Sequence, residues 1–504
     1  MSSKFETPRI LFVTPEVSYL PAGMSAMSDS LKARAGRLAD VSAALISAVH
    51  ETGADVHVAL PDYRSIFNHH RNPFFQGQLS SIRAGVSETK VHLAQDRVFF
   101  YKKKIYSNSA QENLRISLSF QREVINTIVP RVQPDLIHCN DWMTGLIPAM
   151  ARRLGIPCLF TIHNIYNGKA LLSSIEDRGI DAALFWKNLF FERQPVNYEE
   201  TRGSNPVDFL ASGIFAAHFV NTVCPGSLCN IIQGENPPVD SPVKTELLNK
   251  VNQGCASDIL NYPDPSLLPE TDALLFKNYD EKSHVNGKKA NKIFLQEKFG
   301  LIKDPLIPLF FWPVCPDGIQ NGSQLPAVML YDVLSRYKHQ NMEMIFAAKG
   351  NLQRVAEEIV QDFDVKNRVV VCGLDDSLSS IAHGASDFVL FPPEAQPAGL
   401  GQIIGLLYGT LPIVHKTKGN HEIITPLDID HDTGNGFILD LSDTCSLFMT
   451  IDKAMMFYNN TRAVKTRQIR RIMKQSRERF NPRVTAAHYM ELYGRMLKRP
   501  FINQ

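Results

Sequence analysis

Apolar runs rich in Val, Ile and Phe recur along the chain, separated by segments whose apolar residues fall at helical spacing. Residues 9–17, 54–60, 98–101, 134–138, 157–162 and 218–223 read as strands in the first half. Residues 308–314, 342–348, 368–372, 387–391, 411–414 and 436–439 repeat the pattern in the second. Between them, 39–50, 144–154, 351–362 and 400–407 read as helices. Strands that are apolar throughout are buried on both faces, and such strands alternating with helices form parallel sheets. The expected architecture is therefore α/β, with two Rossmann-like parallel-sheet domains facing a cleft.

Periodicity weakens across 233–287, where Pro and Asn accumulate, and the domain junction is expected at 255/256. That division assigns 1–255 to one domain and 256–504 to the other. Beyond about residue 436 the chain is helical, ending in an amphipathic helix near 483–498. Sheets of this kind bind ligands at the C-terminal ends of their strands.

Composition narrows the function. At 504 residues the chain is too long for one core, and 44% hydrophobic content excludes disorder as its main state. A formal charge of +2 argues against wholesale binding to nucleic acid or an anionic membrane. The eight cysteines form no CxxC pair and read as small buried hydrophobes in a reducing compartment. Met1 to Glu6 holds no apolar leader, and the uncharged stretch 395–414 carries two Pro and four Gly, unlike a membrane span. A cytoplasmic protein without a membrane partner is expected.

Three places carry candidate chemistry. After the first strand, a loop ends in Arg34-Ala35-Gly36-Arg37-Leu38-Ala39-Asp40-Val41, where a helix begins. A glycine at such a turn lets a phosphate approach backbone N–H groups at the positive end of a helix, and the arginines add charge. The alternative is an ordinary connecting loop with exposed arginines. No GxGxxG stands here, against a dinucleotide oxidoreductase.

Two consecutive strands end in Cys139-Asn140-Asp141-Trp142 and His163-Asn164, where a His and an Asp can bind hydroxyls and share protons. Equally, Asp141 is a helix cap and His163 a satisfied strand-end residue. In the second half, Gln396-Pro397-Ala398-Gly399-Leu400-Gly401-Gln402 and Val414-His415-Lys416-Thr417-Lys418-Gly419 form two neighbouring candidate anion sites.

These motifs resemble those of the bacterial glycogen synthases and plant starch synthases, two-domain glycosyltransferases of the GT-B fold. Arg34 to Val41 is similar to the family's Lys-x-Gly-Gly-Leu-Ala-Asp-Val, Asn140-Asp141-Trp142 to its His-Asp-Trp, and Thr161-Ile162-His163-Asn164 to its Thr-Val-His-Asn. Residues 395–402 resemble Phe-Glu-Pro-Cys-Gly-Leu-x-Gln, followed by Tyr408-Gly409-Thr410-Leu411-Pro412. The resemblance spans roughly 8–495.

It implies retaining transfer of glucose from a nucleotide sugar, usually ADP-glucose, to an α-1,4-glucan. No metal and no resident cofactor are implied, the nucleotide sugar being a substrate. His163, Asp141 and Gln396 would be catalytic. His163 would contact the donor sugar, Asp141 would lie near the acceptor, and Gln396 stands where the family has Glu. Substrate contacts would come from Arg34, Gly36, Arg37, Asp40, Asn140, Trp142 and Asn164, and from Gly399, Leu400, Lys416, Thr417 and Lys418.

The departures fall on the leaving group. Arg34 replaces the family's Lys and Arg37 its second Gly, and Glu394 stands in place of an Arg. The stretch Trp312 to Gly322 lacks the Arg and Lys that neutralise the diphosphate. Losing one preorganised electrostatic contact costs on the order of 10²–10³ in rate. Arg34, Arg37, Lys416 and Lys418 are the candidate substitutes. Two alternatives stand beside the synthase reading. One is a catalytically silent relative that binds glucan or a partner enzyme, the other a transferase with a changed donor. Oligomeric state has no signal.

Overall fold

The structure is a computed structural model that describes residues 7–25, 28–69, 90–233, 239–263, 267–314, 325–391, 399–440 and 443–497. Two wholly parallel sheets form its frame. The first has the order β3-β2-β1-β4-β5-β8-β9, with β1 Arg9–Val13, β2 Asp55–Pro61, β3 Val91–Ala94, β4 Leu136–Asn140, β5 Cys158–Ile162, β8 Phe219–Thr222 and β9 Ala256–Asp258. A short antiparallel pair, β6 Lys169–Ala170 and β7 Val207–Asp208, lies apart from it. The second sheet runs β12-β11-β10-β13-β14-β15, with β10 Leu309–Pro313, β11 Glu343–Ala348, β12 Val369–Gly373, β13 Phe388–Phe391, β14 Leu411–His415 and β15 Phe437–Leu439.

The central strands β4, β5, β10 and β13 are buried along their whole length, which is why apolar residues dominate them, and the polar His138, Asn140 and Thr161 within them are hydrogen-bonded. Strand order reverses between β1 and β4 in one sheet and between β10 and β13 in the other. Each reversal opens a crevice at the C-terminal strand ends, where such folds seat ligands. In the first sheet, residues 14–16 and 141 line that crevice. In the second, β10 and β13 lead into 315–324 and 392–398, so Gln396 lies outside the described residues.

Three features differ from the sequence expectation. Residues 98–101 are not a strand: Asp96 accepts a hydrogen bond from Val98 N at 2.8 Å and caps a short helix, Arg97–Phe100. The third strand is Val91–Ala94 instead. The first sheet continues past the expected junction, because β9 pairs with β8 as far as Asp258.

The third difference is that the terminal helix Pro482–Met496 returns to the first domain, packing on the first long helix, Arg37–Glu51. Ala486, Tyr489, Leu492 and Tyr493 join the first core. Beneath them Tyr493 Oη meets His138 Nδ1 at 2.7 Å, and Asn221 Nδ2 donates to Tyr489 Oη at 2.9 Å. His138 Nε2 meets Thr161 Oγ1 at 2.6 Å, and that hydroxyl donates to Asn221 Oδ1. The hydroxyl's own proton is therefore committed, so His138 Nε2 carries hydrogen and Nδ1 accepts from Tyr493. The chain end thus clamps the two domains together.

Candidate active site

Asp141 follows β4 with φ 61° and ψ 174°, a backbone region nearly reserved for glycine. Its surroundings hold it there. Its N–H donates to Thr161 O at 3.0 Å, and its carbonyl accepts from Thr144 Oγ1 at 2.9 Å. Oδ1 accepts the backbone N–H of His163 at 2.8 Å and of Asn164 at 3.3 Å, while Oδ2 accepts Asn164 Nδ2 at 2.5 Å. A strained carboxylate thereby sets the turn that carries His163. Burial pushes the Asp141 pKa up to about 7; the hydrogen bonds from 163 and 164 oppose this, and the Glu16 charge adds to it.

His163 is half-buried, and burial lowers its pKa to about 3, so the ring is neutral near pH 7. Its Nε2 lies 2.9 Å from Asn140 Oδ1. Asn140 Nδ2 donates to Val13 O at 3.2 Å, which leaves only the amide oxygen facing the ring. That network assigns the proton to Nε2 and leaves Nδ1 with a lone pair able to accept from a hydroxyl. Trp142 serves packing instead: it is 8% exposed, beside Phe209, and a Cβ on Gly168 would lie 2.5 Å from its ring.

At the start of the first long helix, the carboxylate of Glu16 accepts the N–H groups of Ala35 at 2.6 Å and Gly36 at 3.1 Å. Tyr106 Oη also donates to it, at 3.0 Å. Glu16 is 1% exposed, and burial raises its pKa against the opposing hydrogen bonds. Neither Glu16 nor Tyr106 was singled out by sequence reasoning. A carboxylate one turn after β1 was a usable signal; nothing in the sequence points to Tyr106. Arg34 holds Asp40 through two bonds, Nε–Oδ1 and Nη2–Oδ2, both 2.8 Å. Arg37 is exposed at the first position of the helix. Gly36 is extended, with nothing within 4 Å of a Cβ built on it, so packing does not demand glycine there.

Gly399 and Leu400 open the helix Leu400–Leu407, and Gly399 sits at φ 29° against the first domain. A Cβ there would lie 2.4 Å from Ile423 Cδ1 and 2.9 Å from Cys224 Sγ. At Gly419 it would lie 2.0 Å from the carbonyl oxygen of Pro225. The 224–226 turn after β8 is thus seated on two glycines of the other domain. Thr417 caps the helix Lys418–Ile423 by accepting from Asn420 N at 3.1 Å, and Lys416 faces Asp440 at 3.3 Å.

His383, on the helix Asp376–Ala385, is 2% exposed and packs against Phe311 and Tyr408. Burial lowers its pKa to about 4; the charges of Lys288 and, from the first domain, Arg37 act in the same direction. The structure therefore gathers Asn140, Asp141, His163, Asn164 and Glu16 at one wall of the cleft. Arg37, Gly399 and Leu400 lie where the two domains meet.

Residues 9–237 match the starch synthase catalytic domain family. The glycogen synthase of Rhodospirillum rubrum is 29% identical to the chain, covering 97% of it and 98% of its own length. That of Syntrophotalea carbinolica is 27% identical, covering 92% and 96%. The chain is similar to the glycogen and starch synthases. Its fold is GT-B: the starch synthase IV catalytic domain of Arabidopsis thaliana, bound to ADP and acarbose, superposes with a TM-score of 0.74 at 21% identity. That superposition covers 98% of this chain and 100% of the other. A sucrose-phosphate synthase from Thermosynechococcus elongatus gives 0.53 at 13% identity, over 97% and 99%.

The family match and these relatives all point to glycosyltransferases. Among the described residues no helix is long and apolar enough to cross a membrane. Nor does any group of His, Cys, Asp and Glu among them form a metal cluster.

Proposed function

We propose that the protein transfers glucose from a nucleotide sugar, ADP-glucose, to the end of an α-1,4-glucan with retention of configuration. The carrying observation is the Asp141–His163–Asn164 turn, whose strained carboxylate fixes a neutral imidazole at the C-terminal ends of β4 and β5. Nδ1 of His163 accepts a hydroxyl of the donor sugar and holds it, while Asp141 lies toward the acceptor. Fixed dipoles of this kind need no reorganisation as charge develops on the sugar. No metal or resident cofactor takes part in the proposed transfer.

The leaving diphosphate is met by the N-terminus of the helix Leu400–Leu407 and by Arg37. Arg37 stands at the first position of the helix Arg37–Glu51, where its charge reaches His383 of the second domain. Arg37 thus takes over the cationic role from a position where the resembling family has glycine. Closure of the cleft excludes water from this pair of half-sites.

A second reading has a specific observation behind it. Glu16 already occupies the N–H groups of Ala35 and Gly36, as it would in a relative that binds glucan but no nucleotide. Calorimetric titration separates the two. ADP-glucose binding that is weakened by Arg37→Gln is the expected result, and glucan binding without any sugar-nucleotide binding would establish the silent relative.

A further inference from the structure

The helix Arg462–Arg479 carries eight Lys or Arg residues and one Glu, in a chain whose net charge is only +2. The remainder of the protein is therefore net negative, and the positive charge is concentrated on one face. Gln468, Ile472, Met473 and Ser476 point inward, against the helix Leu400–Leu407. The outward face presents Arg462, Arg467, Arg470, Arg471 and Lys474, with Glu478 at its end, as an open basic surface of this one helix.

Some of this charge is neutralised internally. Arg467 meets Asp432 at 3.1 Å, Lys474 meets Glu478 at 4.0 Å, and Arg477 meets Glu270 and Glu281. Arg470 and Arg471, by contrast, reach only carbonyl and amide oxygens, and Arg462 has no carboxylate partner among the described residues. Like charges held this close are costly unless an anion balances them.

We propose that this basic helix face is a docking surface for an acidic polypeptide segment of another protein. The basic positions from 462 to 477 extend over about 22 Å at the helical rise of ~1.5 Å per residue, too long for one phosphate group. An extended acidic chain covers them in roughly seven residues at ~3.3 Å each. Among the described residues no aromatic side chain lines this face, so it offers no platform on which bases or sugar rings stack. The low overall charge likewise gives no broad field for nucleic acid.

The test uses the full chain and short poly-L-glutamate as probe. Binding is expected at low salt, weakening as salt rises. Arg462→Gln/Arg470→Gln/Lys474→Gln is expected to weaken it at least tenfold with an unchanged Tm. A control with equal charge loss on the first domain, Arg153→Gln/Arg178→Gln/Lys187→Gln, is expected to bind as before. In the unaltered protein, poly-L-glutamate is expected to shield Lys474 but not Lys453 from an amine-acetylating reagent, which holds whether or not the variant folds. Equal loss in the control, no shielding of Lys474, or tighter binding of a single-stranded oligonucleotide at the same face would overturn the proposal. Self-association abolished by the triple variant would overturn it in favour of a second copy of this chain.

Discussion

Replacing Asp141 by Asn removes one buried titration and leaves the shape of the turn nearly intact. In the native protein the Asp141 carboxyl holds its proton up to about pH 7, against a reference value of 3.8. Across that interval the folded state binds more protons than the unfolded one, so this group's contribution is full at low pH and is lost as pH rises through 7. Three units at about 1.4 kcal/mol each give roughly 4 kcal/mol over the whole window. Asp141→Asn cannot titrate, so its stability relative to the native chain should improve by up to about 1.4 kcal/mol per unit between roughly pH 5 and 7.

The replacement has its own cost. Its amide nitrogen now faces Asn164 Nδ2, and Asn164 cannot turn over without losing the bond from Tyr166 N to its Oδ1 at 2.9 Å. That cost of about 1–3 kcal/mol is independent of pH and shifts the comparison without changing its slope. Hydrogen exchange of the peptides covering β4 and β5, compared between the two proteins at each pH, measures the difference, since intrinsic exchange chemistry cancels. A gap that stays flat, or moves toward the native chain as pH rises, would refute the reasoning.

Tyr493→Phe leaves the buried lone pair of His138 Nδ1 without a donor and should cost the first domain about 1–3 kcal/mol, read as a lower urea midpoint. Gly419→Ala puts a methyl group 2.0 Å from the Pro225 carbonyl and should prise the two domains apart, increasing the radius of gyration in small-angle scattering; an unchanged value would contradict the seating described above. Arg37→Gln should reduce turnover on the order of 10²-fold, while Arg34→Gln, whose guanidinium is held by Asp40, should change it far less. Steady-state ADP release with both variants checks the ranking.

The strands that were legible in the sequence are those buried on both faces: β4, β5, β10, β11 and β13 announce themselves because apolar residues dominate them, with a polar residue only at a few positions such as His138, Thr161 and Glu343. The edges were not legible. β9 is three half-buried residues, Ala256–Asp258, whose place depends on β8 beside it and not on any local pattern. At 98–101 a strand-like composition was overridden by a single capping aspartate. The terminal helix could be read as amphipathic, but its partner could not, because the bonds from Tyr489 and Tyr493 reach residues 268 and 355 positions away in the chain.

At the site, position along the strands pointed to Asp141 and His163, while the conformation that joins them was hidden, since a positive φ at aspartate leaves no compositional trace. The arginines show the same limit. Sequence offered Arg34 and Arg37 as equivalent, and only the bidentate hold of Asp40 on Arg34 tells them apart. Gln396 and the 315–324 stretch, where the departures from the synthase motifs concentrate, lie outside the described residues.

The account rests most directly on whether glucose moves. Purified protein incubated with glycogen and glucose-labelled ADP-glucose should release ADP and place label in the glucan in equal amounts, with the new linkage α-1,4. Absence of both products with every common sugar nucleotide, from a protein that still binds glycogen, would contradict the proposed transfer and leave a glucan-binding relative of the synthases.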